Sequence, residues 1–540
     1  MSAVAGPTLD VVIAGGWIAD GTGNPLYPAD VAVRGDRIVE VGHLAADVPA
    51  GRRIDARGKI VCPGFVDAHS HSDRSIHTNP TAESTVRQGI TTEIVGNCGS
   101  SVAPAVGPAR AAVQAGLTRM AFRGPLSWEG FGSYLDALDA MGTSPNLACY
   151  VGHNTVRRAA GVTGAAVSAA QADTMRRLVR EAMEAGALGF STGLEFDPGR
   201  LATMEEIVAL AAVAGEYRGY YTSHIRNRDA ALQAAVEECL EVARRAGTPV
   251  QVSHLNVRHN TGAPAGAWQR AVDTVEQARR DGMDAMADTT PFREGMGSLA
   301  AILPPWFVAG DAGSAAASLA DPAVRARLRG ECDRYWRFIH RGEWDRVRLM
   351  NSAEYPELNG RPFSEIAALW EQDPWECYFD VMQAAGPRMG GLSAMGLLFT
   401  DAHLAELTSH PLLSLAVDGW TTRVDGPLSE LSRHPLNYAG MVHYLTHHVR
   451  ERRTLRLEEA IRKMTSLPAT RFELTGRGLL RPGGYADVVV FDYAALDDGS
   501  TVEQPLAYCR GVEHVLVNGT AVVSDGQHTG ARPGRTLRRR

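Results

Sequence analysis

At 540 residues, 45% hydrophobic and 21% charged, the chain is too apolar to be disordered and long enough for a barrel plus a smaller unit. A net charge of -7 and a pI near 6.2 exclude a basic face for nucleic acid, and no apolar run reaches membrane-spanning length. Seven scattered cysteines, and an N-terminus without a charged region leading into an apolar one, point to a reducing cytoplasm.

In chain order, the first sixty residues predict short strands at 10–14, 30–34 and 37–41, punctuated by Gly15-Gly16 and Gly35-Asp36 turns. The style returns near the C-terminus, with strands at 486–491 and 513–517, the latter closed by an Asn518-Gly519 turn. Two strand-rich ends predict one small β domain from residues 1–60 and 475–530; two separate hairpins are the alternative. Between them, over 61–474, eight apolar runs at 60–65, 92–95, 148–151, 187–190, 219–222, 250–253, 284–287 and 412–417 alternate with helical stretches such as 171–184 and 230–245. Eight strand–helix units predict a closed α/β barrel of the (β/α)8 TIM type, with an open doubly wound sheet as runner-up. More than a hundred residues separate the last two runs, and about 293–400 reads as an inserted helical lid. The basic cluster Arg535, Arg538, Arg539 and Arg540 reads as a frayed terminus.

The strand ends carry the chemistry. His69 and His71, two apart, follow the first run and suit a metal, because neutral imidazole is a preferred ligand of zinc-like cations. Cys98 follows the second in Gly96-Asn97-Cys98-Gly99, His153 the third, Glu195 the fourth, His224 the fifth, His254 the sixth and Asp418 the eighth. A lone histidine at any of these places is more often a core or surface residue. Together, recurring at the end of the barrel where barrel enzymes place their active sites, they point to a metal-dependent enzyme.

In these segments the chain resembles the amidohydrolase superfamily and, within it, the N-acyl-D-amino-acid deacylase (D-aminoacylase) family. The marks are, in order, His69-Ser70-His71, Gly96-Asn97-Cys98-Gly99, Ser191-Thr192-Gly193-Leu194, Thr222-Ser223-His224-Ile225-Arg226, Val252-Ser253-His254 and Asp418-Gly419. The resemblance implies a small β-sandwich domain beside the barrel and a zinc ion held tightly by Cys98, His224 and His254. It further implies a second, weaker zinc position at His69 and His71, and Asp418 as the catalytic carboxylate. Hydantoinase-like relatives bridge two metals with a fourth-strand lysine; the only lysines here, Lys59 and Lys463, lie elsewhere.

The resemblance breaks where the family grips a substrate carboxylate. A lysine and an arginine are replaced by Asn256 and Leu436, and a tyrosine by Thr290, with Phe292 at a second aromatic position. Loss of both cations removes the charge-assisted bonds that hold a carboxylate. The expectation is therefore a zinc-dependent hydrolase of small-molecule acyl amides that are neutral, or held differently, at that end. Arg226, Arg258 and Arg293 are candidates to compensate, and Glu195, His153, Asn256 and Arg226 are candidate substrate contacts. Hydrolysis of a cyclic amide, imide or ester on the same site, and a non-catalytic scaffold, are the alternatives. Oligomeric state is not legible.

Overall fold

The computed structural model describes residues 9–308, 311–332 and 335–539. Eight parallel strands form the barrel: Phe65–Asp67, Ile90–Val95, Asn146–Cys149 continued by Val151–Gly152, Gly189–Gly193, Tyr220–His224, Val250–Val252, Ala285–Thr289 and Leu413–Leu415. Ladders join strands one to three and three to eight. The ring closes between strands eight and one through their extensions, where Asp418 N donates to His69 O (2.8 Å) and His71 N to Gly419 O (2.7 Å). Nearly every strand residue is buried, as expected of parallel strands covered on both faces. The helices outside are amphipathic. Leu232–Ala246, for instance, buries Leu232, Ala235, Val236, Cys239, Leu240 and Ala243, spaced three and four apart, and ends at Gly247 with φ +67°.

The first apolar run is not one strand. It breaks at Gly64, because Ile60–Pro63 pairs with Val488–Phe491 and with Trp17 and Ile18 in the terminal domain, whereas Phe65–Asp67 belongs to the barrel. A Cβ on Gly64 would lie 2.1 Å from Thr91 Oγ1, so the crossover between the two sheets requires glycine.

Both termini contribute to one nine-stranded sheet. Its strand Leu9–Ile18 forks, pairing with Ala50–Asp55 over its first half and with Ile60–Pro63 at its end, and the sheet wraps a core that includes Val31, Val33, Ile54, Val61, Val490 and Leu516. Gly15-Gly16 is a bulge inside this strand and not the expected turn, the register shifting between Ile13 and Gly16. Asn518-Gly519 does turn the hairpin, both residues at positive φ.

Between strands seven and eight, helices surround a three-stranded antiparallel sheet of Glu294–Ser298, Ser393–Leu397 and Val347–Leu349. This segment has its own core around Trp336, Phe338, Trp344, Trp375 and Tyr378, so it is helical only in part. Among the described residues no helix is long and apolar enough to cross a membrane.

The C-terminal tail departs most from expectation. Arg540 lies outside the described residues, but the preceding segment docks across the N-terminal ends of barrel strands three to five. Leu147 N donates to Arg535 O (3.0 Å), Leu537 N to Leu147 O (2.7 Å) and Arg539 N to Gly186 O (3.0 Å). Arg538 pairs with Asp136 and Asp139, and the Arg539 guanidinium lies 5.0 Å from the Tyr220 ring centre. Arg538 is ordered by two acids of helix Phe131–Met141, Arg535 by Asp36 of the terminal domain and Arg539 by Glu473, partners that sequence separation concealed. Removing residues 532–540 loses these three backbone bonds, a fourth from Gly534 N to Thr143 O (2.7 Å) and the partial burial of Leu537, on the order of 2–4 kcal/mol. The melting temperature is expected to fall by several degrees, as scanning calorimetry would read; an unchanged melt means that the tail does not contribute.

Candidate metal centre

Six of the predicted residues converge at the C-terminal mouth of the barrel. Cys98 Sγ lies 3.3 Å from His69 Nε2, 3.5 Å from His224 Nδ1 and 3.4 Å from His254 Nε2. Asp418 Oδ1 lies 3.2 Å from His71 Nε2 and 3.5 Å from His69 Nε2. Two donor groups result, His69, His71, Cys98 and Asp418 in one and Cys98, His224 and His254 in the other; within each, the donor atoms lie within 4.8 Å of one another. The cysteine is common to both.

Backbone geometry aims these side chains. Cys98, His254 and Asp418 all sit in the left-handed region, at φ +52°, +34° and +55°. Non-glycine residues avoid this region, at a cost of about 1–3 kcal/mol each, and strain of this kind concentrates at functional sites. Each of these residues turns the chain sharply at the end of its strand, directing the side chain inward. The glycines beside Cys98 are needed: a Cβ on Gly96 would meet Tyr150 O at 2.3 Å, and one on Gly99 would meet Gly193 N at 2.6 Å.

A surrounding layer orients the donors. His224 presents Nδ1 to the cysteine while its Nε2 lies 2.8 Å from Glu195 Oε2. Glu195 thus positions a histidine through Oε2. Burial pushes its carboxyl upward, but Arg258 and Arg228 more than offset this and hold it well below the usual range. Asp288, absent from the sequence expectations, accepts from His254 N (2.7 Å) and Gln251 Nε2 (2.9 Å) and lies 3.5 Å from His69 Nδ1. Its one sequence signal is a carboxylate interrupting an otherwise apolar strand. Arg228 was also missed; its Nη1 is 3.1 Å from His254 Nδ1, and nothing distinguished it from a solvated loop residue. Asp67 accepts from His69 N (3.1 Å) and Val417 N (2.8 Å), tying the first strand to the eighth.

Two candidate contacts stand elsewhere. His153 is fully buried at the start of helix His153–Ala159, with Nε2 2.8 Å from Glu206 Oε1 of helix Met204–Glu216, and joins neither donor group. Arg226 makes a bidentate pair with Glu238 and donates to Arg200 O and Ala202 O. Each of its three guanidinium nitrogens has a protein partner. Asn256 is buried near the site; its Nδ2 donates to His254 O (2.6 Å) and its Oδ1 has no protein partner.

The charge states suit a cation. Burial lowers His224 and His71 to about 4, and with Arg228 takes His254 well below its ordinary value, so these imidazoles are neutral at pH 7; in His224, whose Nε2 faces Glu195, the lone pair falls on Nδ1, toward Cys98. Burial opposes a charge on His69 as well, but Cys98, Asp418 and Asp288 raise it well above 6.5. Burial likewise raises the Cys98 thiol. A buried thiol surrounded by three imidazoles and a carboxylate fits a divalent ion of the zinc class, which takes thiolate and imidazole ligands.

Behind the His69–His71 loop, Glu93 accepts hydrogen bonds from Ser70 Oγ (2.7 Å) and Ser72 Oγ (2.6 Å), and burial raises it to about 7. A carboxyl raised on folding stabilises below its unfolded pKa, and that stability is lost as pH climbs from about 4.5 to about 7. Glu93→Gln is therefore expected to lose less stability than wild type between pH 5 and 8, by on the order of 2–3 kcal/mol in urea unfolding. Parallel curves would show that Glu93 ionises freely.

A barrel with cysteine, four histidines and an aspartate at its mouth defines a metal-dependent hydrolase architecture. A family model described as "Amidohydrolase family" matches residues 52–523, and the chain belongs to that family. It is 36% identical to the N-acyl-D-glutamate deacylase of Alcaligenes xylosoxydans xylosoxydans over 535 residues, covering 98% of this chain and 97% of that protein. It is 32% identical to the D-aminoacylase of the same organism, covering 98% of each. Among solved structures, the N-acyl-D-glutamate deacylase of Bordetella bronchiseptica, complexed with zinc and a phosphonate mimic of the tetrahedral intermediate, superposes with a TM-score of 0.80 at 34% identity, over 98% of this chain and 100% of that one.

Proposed function

We propose that this chain is a zinc-dependent amidohydrolase that cleaves the N-acyl amide bond of a small molecule, with a pocket changed where its relatives' substrates carry a carboxylate. The observation that carries the reading is the convergence of three imidazoles on Cys98 Sγ at 3.3–3.5 Å, with Asp418 against His69 and His71. Cys98, His224 and His254 would hold a tight zinc; His69 and His71, sharing Cys98, would form a second, weaker position. A cation there supplies Lewis acidity, which polarises an amide carbonyl and acidifies water.

The protein supplies proton transfer and positioning. Burial pushes the Asp418 carboxyl up, but His69 and His71 bring it down to about 2, so it is ionised at neutral pH. It can accept a proton from attacking water and, holding it weakly, return it to the departing nitrogen. Glu195 and Asp288 keep His224, His254 and His69 oriented, as outer partners do for metal-ligating histidines.

The arrangement at the changed end supports a neutral substrate group. The arginines that could compensate are engaged: Arg226 with Glu238, Arg258 with Glu195 and Asp229, and Arg293 with Asp401. Asn256 offers a buried, unpartnered carbonyl oxygen, an acceptor that suits an N–H or O–H donor and repels a carboxylate. The test compares zinc-loaded enzyme on an N-acetyl-D-amino acid and on the matching carboxamide. Faster turnover of the carboxamide is expected. Much faster turnover of the acid would overturn the altered pocket, and hydrolysis of neither across a panel of acyl groups would overturn amide cleavage itself.

A further inference from the structure

Three histidines that belong to neither donor group meet where helix Leu436–His443 continues into the wider π-type turn Tyr444–Glu451. In an α-helix, residues five apart point about 140° away from each other; an i→i+5 winding brings them onto one face. His443, His447 and His448 accordingly each bring a ring nitrogen within 4.8 Å of the others. They stand behind Phe292, which stacks on His443 (4.0 Å between ring centres) and meets His434 edge-on (5.6 Å). His443 and His447 line a cavity of about 480 Å³ together with Phe292, Asp401 and Asp498.

Packing alone accounts poorly for this group, since apolar rings would stack as well without burying ring nitrogens. The outer nitrogens are instead anchored. His443 Nδ1 lies 2.6 Å from Asp498 Oδ2, and the other oxygen of Asp498 accepts from Thr446 Oγ1 at 2.6 Å. His448 Nε2 donates to Pro291 O (2.8 Å), which leaves Nδ1 as its lone-pair nitrogen. Thr408 Oγ1 lies 3.4 Å from that Nδ1 but already donates to Leu404 O. His447 Nδ1 is 3.5 Å from Glu451 Oε2. Carboxylate or carbonyl on one ring nitrogen with the other left open is the arrangement that prepares histidine for a metal. Burial lowers both His447 and His448, the latter to about 3, so both are neutral.

We propose that His443, His447 and His448 bind a divalent transition-metal ion of the zinc, nickel or copper class, separate from the cations of the hydrolytic site. The His443 and His447 planes are parallel to within 7°, so ligation requires one ring to turn. His447 is the one able to do so, its side chain 29% exposed with Glu451 as a distant partner. Three imidazoles favour copper over nickel and zinc. A bound ion would tie the segment after the seventh strand, through Pro291, to this helix and to Asp498.

The test dialyses full-length wild type, His447→Ala, His443→Phe and Cys98→Ala against graded nickel(II), counts metal per chain, and records copper(II) electron paramagnetic resonance. The expected result is one fewer ion on His447→Ala and His443→Phe than on wild type, loss of a multi-nitrogen copper signal, and unchanged zinc-supported hydrolysis. In Cys98→Ala that ion remains, so failure of the hydrolytic assignment is read separately. Equal stoichiometry in wild type and His447→Ala, or an extra ion that disappears only with Cys98, would overturn the proposal. His443→Phe preserves the stack on Phe292; should it misfold, His447→Ala, at the partly exposed position, decides alone.

Discussion

Asp418→Asn is expected to lower kcat by about 10²–10⁴ while the ion at Cys98, His224 and His254 and the KM stay near wild type, because general acid–base catalysis contributes on that scale. The amide keeps the shape of the side chain and removes the capacity to take up and return a proton. The left-handed backbone at φ +55° tolerates asparagine as readily as aspartate, so the fold should be unaffected. Metal analysis alongside steady-state rates makes the result specific, since a variant that loses its ion loses activity for another reason. Activity within a few-fold of wild type, with the ion in place, would remove Asp418 from the chemistry.

Cys98→Ala should have an equally large effect by a different route. Cys98 is common to both donor groups at the barrel mouth, so its removal takes a ligand from each of them at once. Loss of an outer partner costs about 10–100-fold in metal affinity, and loss of this thiolate should cost more than about 100-fold. Hydrolysis should fall to background at limiting zinc, with the circular dichroism spectrum unchanged. Undiminished zinc affinity would mean that Cys98 is only a small buried hydrophobe, the commoner fate of a free cysteine.

Much of this centre was legible because barrel architecture makes position informative. Once eight apolar runs alternate with helices, the residue after each run is placed at one rim, and His69, His71, Cys98, His224, His254 and Asp418 stand out by type alone. Residues whose role depends on a partner far away in the chain were not legible in this way. Glu195 and His153 occupy equivalent strand-end positions, yet one supports His224 and the other pairs with Glu206 on an outer helix. Arg226 and Arg228 are two apart, and only the second reaches the site. Sequence spacing cannot separate such cases, because side-chain direction after a strand depends on local backbone turns that composition does not encode. The docked tail shows the same limit, Arg538 being ordered by Asp136 and Asp139, some four hundred residues earlier, and Arg535 by Asp36.

By itself, the sequence determined the alternation of strands and helices, the strand-rich character of both termini and the donor types available at the barrel mouth. These follow from hydrophobic periodicity and residue chemistry, which are local properties. Tertiary structure alone decided that Gly64 separates two sheets, that three left-handed residues turn Cys98, His254 and Asp418 inward, and that the candidate replacement arginines are paired with acids. Each of these depends on what lies opposite in space, and burial and electrostatic pairing are set by neighbours that only the folded chain brings together.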